Sequence, residues 1–332
     1  MTITHTARGI WKPPLWVTPL PEEPPHGIYL RLAERNGFHR IGHFENATGI
    51  KLRQVRLGRD LDHLAGMLRC EPRHLNGALI KHQEQGPPIV GGEAIRCKDL
   101  MIVGRRACPA CLAASAHHRF WWDLRFVSTC PIHAIRLTCR CSCGGKLTWA
   151  DGSLAKCRTC EDGDVRLLPF EPASCKVIAL DRWILSRFGI LNSNESVVVI
   201  HKLPLGQAIE VIERIGALAV GGYRTRWQEI TDFNLPPEEV RAIGFSTLAD
   251  GKLPNVFDRA YDGLLASSGK WGGLHDMYGW FSQWFLSRGG TRLSADLADI
   301  MLRHAQKRTQ VSRLAFPSLS RSNDSLTLSG TP

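Results

Sequence analysis

The sequence predicts a mainly α chain with small zinc-stabilised modules. It divides into a helix-turn-helix N-terminal region, a central double zinc finger and a helical C-terminal region. Three observations carry that expectation. Eight of the eleven cysteines fall between Cys108 and Cys160, most of them in closely spaced pairs. Apolar residues recur at helical spacing on both sides of that stretch, as in Leu205, Ala208, Ile209, Ile212 and Ile215. The net charge of +11, with a pI near 9.3, favours a polyanionic partner.

The cysteine stretch organises the rest. Tetrahedral zinc takes four N or S ligands, and two residues between paired ligands let one tight turn present both. Cys108-Pro109-Ala110-Cys111 and Cys130-Pro131-Ile132-His133 supply one such quartet, spaced Cys-x2-Cys-x18-Cys-x2-His. Cys157 and Cys160 supply half of a second, completed by two of Cys139, Cys141 and Cys143. Cys141-Ser142-Cys143 is one residue short of the usual turn. The spacing leaves the pair open, and we take Cys141 and Cys143 because Cys143 precedes the Gly144-Gly145 turn, where backbone amides can approach sulfur. Cys139, after an apolar run, is expected to be buried. The zinc sites are expected to be structural, two ions in all, because both quartets fill without an open position for water.

Other uses of these cysteines fit less well. Disulfides suit small secreted domains, and 332 residues can build a core without them. A zinc deaminase needs His-x-Glu before Pro-Cys-x-x-Cys, and here the order is Cys-Pro-x-Cys with no His-x-Glu ahead of it. Cys70, Cys97 and Cys175 stand alone, and the first two are read as small buried hydrophobes.

Residues 1–27 form a proline-rich extended arm, with Pro13, Pro14, Pro19, Pro21, Pro24 and Pro25 excluding a regular helix. Trp11 and Trp16 are expected to pin it onto this protein or a partner. Residues 28–95 read as a helical, helix-turn-helix-like domain. A first helix ends at Asn36-Gly37; a second covers Asp60 to Leu68, with leucines at i, i+3 and i+7. After Glu71-Pro72 a third is expected over Arg73–Ile80. The last two have the helix-turn-helix layout, with Arg73, His74 and Asn76 facing outward. Whether that unit docks DNA or protein stays open, as does an ordinary helical hairpin.

Residues 96–170 make the double zinc-binding module, preceded by short strands broken at Gly86-Pro87-Pro88 and Gly91-Gly92. Phe120, Trp121 and Trp122 between the first two knuckles are expected to form its small core; His117 and His118 lack the knuckle spacing of His133. Residues 171–316 read as a helical C-terminal domain. Helices are expected at Asp181–Phe188, Pro204–Ala219, from Asn234 onward, and near 254–266, 274–287 and 294–308. Tyr278, Trp280, Phe281, Trp284 and Phe285 suit a core or the seam of a homodimer. Residues 317–332 are a Ser-rich, disordered tail.

Arg106-Ala107-Cys108-Pro109-Ala110-Cys111-Leu112, Trp122-Asp123-Leu124, Cys130-Pro131-Ile132-His133 with Leu137, Cys143-Gly144-Gly145-Lys146-Leu147 and the closing Cys157-x-x-Cys160 together resemble the TniQ family of transposition proteins. The likeness is specific over about 55 residues. A looser one covers Pro25 to Gly37, with Tyr29 where Trp is common and Gly27 in place of a usual Ser. The family usually has a full Cys-x-x-Cys before Gly144 and often a Gly where Glu161 stands. The resemblance implies a non-enzymatic targeting adaptor. Such a protein links a target site, or a complex already bound there (an RNA-guided one included), to an AAA+ regulator and a transposase.

The motifs of catalysis are missing. No Gly-Lys-Ser/Thr phosphate loop, Gly-x-Ser-x-Gly elbow or His-Glu-x-x-His occurs, and no three acidic residues stand out as a transposase triad. The rival expectations are a zinc-binding helix-turn-helix transcriptional regulator and a zinc-dependent hydrolase or nuclease. DNA contact is expected from spread positive charge, with Arg69, Arg73, His74, Asn76, Arg105 and Arg106 as candidates. No apolar run has the length of a membrane span, and Met1 to Trp16 holds no continuous apolar segment, so a cytoplasmic location is expected.

Overall fold

The computed structural model describes residues 12–101, 103–160, 163–225, 229–268, 278 and 295–309. The chain is mostly helical over these residues, with two small antiparallel sheets. Buried apolar side chains from Val17 to Ala305 join in one core that passes through the cysteine-rich centre.

The arm lies extended along α1 (Pro25–Arg35). Proline at the first helical position suits a site whose amide has no partner anyway. Polar side chains hold the arm along its length, and Trp16 stacks on Arg69. Asn36 Nδ2 donates to Leu15 O, and Leu15 N donates back to Asn36 Oδ1. Arg31 bonds Thr18 O and Glu23, while Arg119 and the Trp121 indole both donate to Glu22. Trp16 stays 47% exposed, so it does not anchor the arm in the core. Trp11 lies outside the described residues.

Three short helices follow: α2 (Ile41–Thr48), α3 (Leu52–Arg56) and α4 (Leu61–Leu68). The expected helix over Arg73–Ile80 does not form. Pro72–Leu75 makes a single 3-10 turn, and the chain then enters β1 (Ile80–Lys81). Asn76-Gly77 is a weak helix sequence, and Ile80 pairs with Val90 of β2 (Ile89–Val90), so sheet pairing takes the residues the helix would have needed. Gly91 and Gly92, both at positive φ, turn β2 into β3 (Glu93–Ala94).

The cysteine-rich segment contributes α5 (Pro109–Ala114) and the hairpin of β4 (Thr129–Cys130) with β5 (Ile135–Arg136). Phe120, Trp121 and Trp122 are buried, forming the expected local core. The C-terminal region holds α6 (Cys175–Arg187), α7 (Val198–His201), α8 (Leu205–Gly221), α9 (Pro237–Ala249), α10 (Leu253–Ser268) and α11 (Ala295–Thr309). The helix start expected at Asn234 is displaced to Pro237, with Glu238 and Glu239 in its first turn. α8 and α9 touch backbone to backbone. A Cβ on Gly216 would stand 2.1 Å from Val240 O, and one on Gly244 would stand 2.0 Å from Ile212 O. Of the expected 274–287 helix only Tyr278 is described; it is buried with its hydroxyl 2.7 Å from His304 Nδ1. The other aromatics of that segment and the tail lie outside the described residues.

Candidate metal centres and basic surface

The first quartet is assembled by two local turns. Cys108 caps α5, and its Sγ accepts the Cys111 amide at 3.4 Å. Cys130 ends β4, and the chain reverses through His133 and Ala134, the latter at φ 56°, before β5. The four ligand atoms face one point. Cys111 Sγ lies 3.6 Å from Cys130 Sγ, and His133 Nδ1 lies 3.3–3.5 Å from all three sulfurs. Bonds of about 2.0–2.3 Å in a tetrahedron put ligand atoms roughly 3.3–3.8 Å apart, so the separations suit a zinc-sized ion. Hydrogen bonds from Cys111 and Cys130 hold the Cys108 thiol down to about 3, and the same bonds push Cys130 up. A divalent ion would favour all three thiolates.

The second quartet is Cys141, Cys143, Cys157 and Cys160. Its sulfurs lie 3.8 Å apart for Cys141 and Cys160 and 3.7 Å apart for Cys143 and Cys157. The shortened knuckle reaches because the chain folds sharply after it. Cys141 N donates to Gly145 O, Gly144 N donates to Cys141 O, and Gly144 adopts φ 82°. The Thr159 amide donates to Cys157 Sγ. Cys139 stands outside the group and is exposed, contrary to the expectation that it would be buried; Cys97 is likewise exposed. Sequence reading missed Gly163. A Cβ there would fall 2.6 Å from Cys160 Sγ and 2.7 Å from Cys141 Sγ, so this position has room only for glycine while the sulfurs stay in place.

The basic candidates separate into two kinds. Arg105 is 1% exposed and spent inside the fold, donating to Thr148 O, Ser153 O, Leu154 O and the Asp151 carboxylate. Arg106 donates to Trp122 O and Leu124 O, and burial pulls its pKa down to about 10. Arg105 is not available to DNA phosphates, which corrects its reading as a surface cation, while Arg106 is half-buried with its guanidinium on these carbonyls. Arg96 is similarly engaged, with Asp99 and Glu213. Arg69, Arg73, His74 and Asn76 are exposed. The Arg69 guanidinium stacks 3.9 Å from the Trp16 ring centre, and Arg73 pairs with Glu71 at 2.8 Å. Arg69, His74 and the arm residues Thr18–Pro21 line one shallow groove.

A helical N-terminal unit thus runs into a Cys3His quartet that could hold a metal ion. Residues 14–137 match the TniQ family model, so the chain carries a TniQ domain, that of a family of transposition-associated proteins. The matched span takes in α1 to α5 and all four residues of the first quartet, and it ends before the second. No curated protein matches the chain. Among the described residues, no helix is long and apolar enough to cross a membrane.

Proposed function

We propose that this protein is a non-enzymatic targeting adaptor of DNA transposition. It links a target site, or a complex bound there, to an AAA+ regulator and a transposase, and it holds two structural zinc ions. The observation that supports this reading is the pair of four-ligand clusters in and beside a TniQ domain. Each supplies four protein ligands, which suits structure and leaves no position for an activated water. When bound, each zinc converts roughly 10 kcal/mol or more of binding free energy into folding free energy.

DNA contact in this reading shifts from the lost Arg73–Ile80 helix to α2 and α3. These are joined by Gly49–Lys51, with Gly49 left-handed at φ 75°, and both pack on α1. Such a short Gly-containing turn between helices resembles the helix-turn-helix layout and supports this reading. Arg40, His43, Lys51, Arg53 and Arg59 are exposed around it. Phosphate contacts of this kind position a protein without specifying a sequence.

The test is co-purification of the full chain with the AAA+ ATPase and transposase of a transposon, with and without target DNA. Retention of both, and their loss when Cys108→Ser removes the first zinc, supports the adaptor. Tight binding of the isolated protein to one defined duplex, with no retention of either partner, makes it a transcriptional regulator instead.

A further inference from the structure

Outside the two quartets, one more set of ligand-type side chains converges among the described residues. His26 stands in the first turn of α1; His118 and Asp123 lie between α5 and β4. One ligand atom from each falls within 4.8 Å of the others, and none of the three side chains is more than 2% exposed. Trp149 stands edge-on to both imidazoles, at 4.6 and 4.7 Å, and Trp122 edge-on to His118 at 5.2 Å.

Protein atoms alone leave this cluster incompletely satisfied. His26 Nε2 sits 2.9 Å from Asp123 Oδ2, a good hydrogen bond. His118 Nε2 sits 3.2 Å from Asp123 Oδ1 in a poorly aligned contact, and His118 Nδ1 has no hydrogen-bond partner. A polar atom left so in the core is destabilising. Adjacent ligands on one ion, at bonds of about 2.1 Å and right angles, stand roughly 3 Å apart. The two contacts have that spacing. Two imidazoles with one carboxylate form a set that suits divalent zinc, iron or manganese.

We propose that His26, His118 and Asp123 form a third metal site, for a divalent transition ion held by nitrogen and oxygen without sulfur. The ion ties α1 to the segment that links the two halves of the first quartet. Close packing at that seam is already evident, since a Cβ on Gly27 would lie 3.1 Å from His118 Cβ. Arg56, whose guanidinium lies 5.2 Å from the Trp149 ring centre, adds positive charge nearby. The third ion is therefore held more weakly than the thiolate-bound pair, and a chelator removes it first.

The experiment loads the full chain anaerobically with cobalt(II), then separately with zinc, iron(II) and manganese(II), and counts bound metal. Three cobalt ions per chain are expected. Two of them carry thiolate-to-cobalt charge-transfer absorption; the third adds metal without that absorption and leaves first under chelator. Asp123→Asn, which keeps the shape of the side chain, should lower the count to two with the charge-transfer bands unchanged. A wild-type count of two with every metal tried would overturn the proposal and make the cluster a hydrogen-bonded His–Asp–His bridge. So would a third ion that persists in Asp123→Asn, or one that brings new thiolate absorption. If the variant does not fold, the wild-type count and spectrum decide alone. The two quartets report through their own bands, so failure here leaves them untouched.

Discussion

Replacing Gly163 by alanine tests the geometry of the second quartet at its tightest point. The added Cβ would arrive 2.6 Å from Cys160 Sγ, 2.7 Å from Cys141 Sγ and 2.8 Å from Cys157 Cβ. A carbon–sulfur contact relaxes at roughly 3.5–4 Å, so the sulfurs would have to retreat by about 1 Å. Metal ligation tolerates only about 0.2 Å in its bond lengths. The ligands cannot yield that far and still share one ion. Overpacking of this kind costs about 1–3 kcal/mol, which corresponds to about a 5- to 150-fold weaker second metal. The assay is chelator competition with a chromogenic indicator on the full chain. Gly163→Ala should release one zinc early while the Cys108 quartet keeps its own. Gly144→Ala is the control: no atom lies within 4 Å of its Cβ, so it meets only the backbone cost of φ 82°, about 1–2 kcal/mol. Wild-type release by Gly163→Ala, at full zinc content, would refute the assignment of Cys141 and Cys160 to one ion.

Other substitutions probe the rest of the fold. Arg105→Ala leaves the buried Asp151 carboxylate with its Thr148 hydrogen bonds but no counter-charge and should lower stability by about 3–5 kcal/mol in urea unfolding; a change below 1 kcal/mol would mean that the buried network carries no weight. His26 is buried neutral, its pKa depressed by desolvation from 6.5 to about 4, with Asp123, His118 and Arg56 facing it. Its share of stability is full above pH 6.5 and is lost as pH falls towards 4, by up to roughly 3 kcal/mol, and His26→Gln should flatten that dependence. Binding of the isolated protein to duplex DNA should be weak, tolerant of sequence and steeply salt-dependent. Arg53→Ala and Arg59→Ala should each reduce the logarithmic salt slope by about one, and unchanged slopes would move the DNA surface elsewhere.

What could be read from the sequence was whatever is local. The x2 spacings present Cys108 with Cys111 and Cys130 with His133 through single turns, and the structure brings these four together. The short Cys141–Cys143 step could be read for the same reason, since Gly144 and Gly145 sit beside it. What failed depended on distant partners. Nothing near Ile80 shows that Val90 will claim it for a strand in place of a helix. Nothing near Arg105 shows that the carbonyls of Ser153 and Leu154 will surround its guanidinium, so a charge count placed it on the surface. Gly163 looks like any loop glycine until Cys141 is folded against it. His26 and Asp123 lie 97 residues apart, and no spacing rule joins them.

The two centres are wired to different parts of the chain. Thr129, beside the ligand Cys130, donates through its amide and its hydroxyl to Asp181 of α6, both at 2.7 Å, and Arg136 of β5 pairs with Glu238 of α9. The first centre therefore fixes the C-terminal helices. The run between the two halves of the second quartet, residues 146–156, carries Asp151 and Ser153, which hold Arg105, and Ser153 Oγ donates to Glu34 of α1 at 2.6 Å. Loss of one metal should then loosen one side and spare the other. In amide exchange on the full chain, Cys130→Ser should speed exchange across α6 and α9. Cys143→Ser should do so across residues 146–156 and the end of α1, with α9 still protected. An adaptor that must hold two partners gains from such separation, because one contact surface can rearrange while the other stays formed. Identical exchange patterns in the two variants would show that the metals stabilise a single cooperative unit, and the idea of two independently held faces would fail.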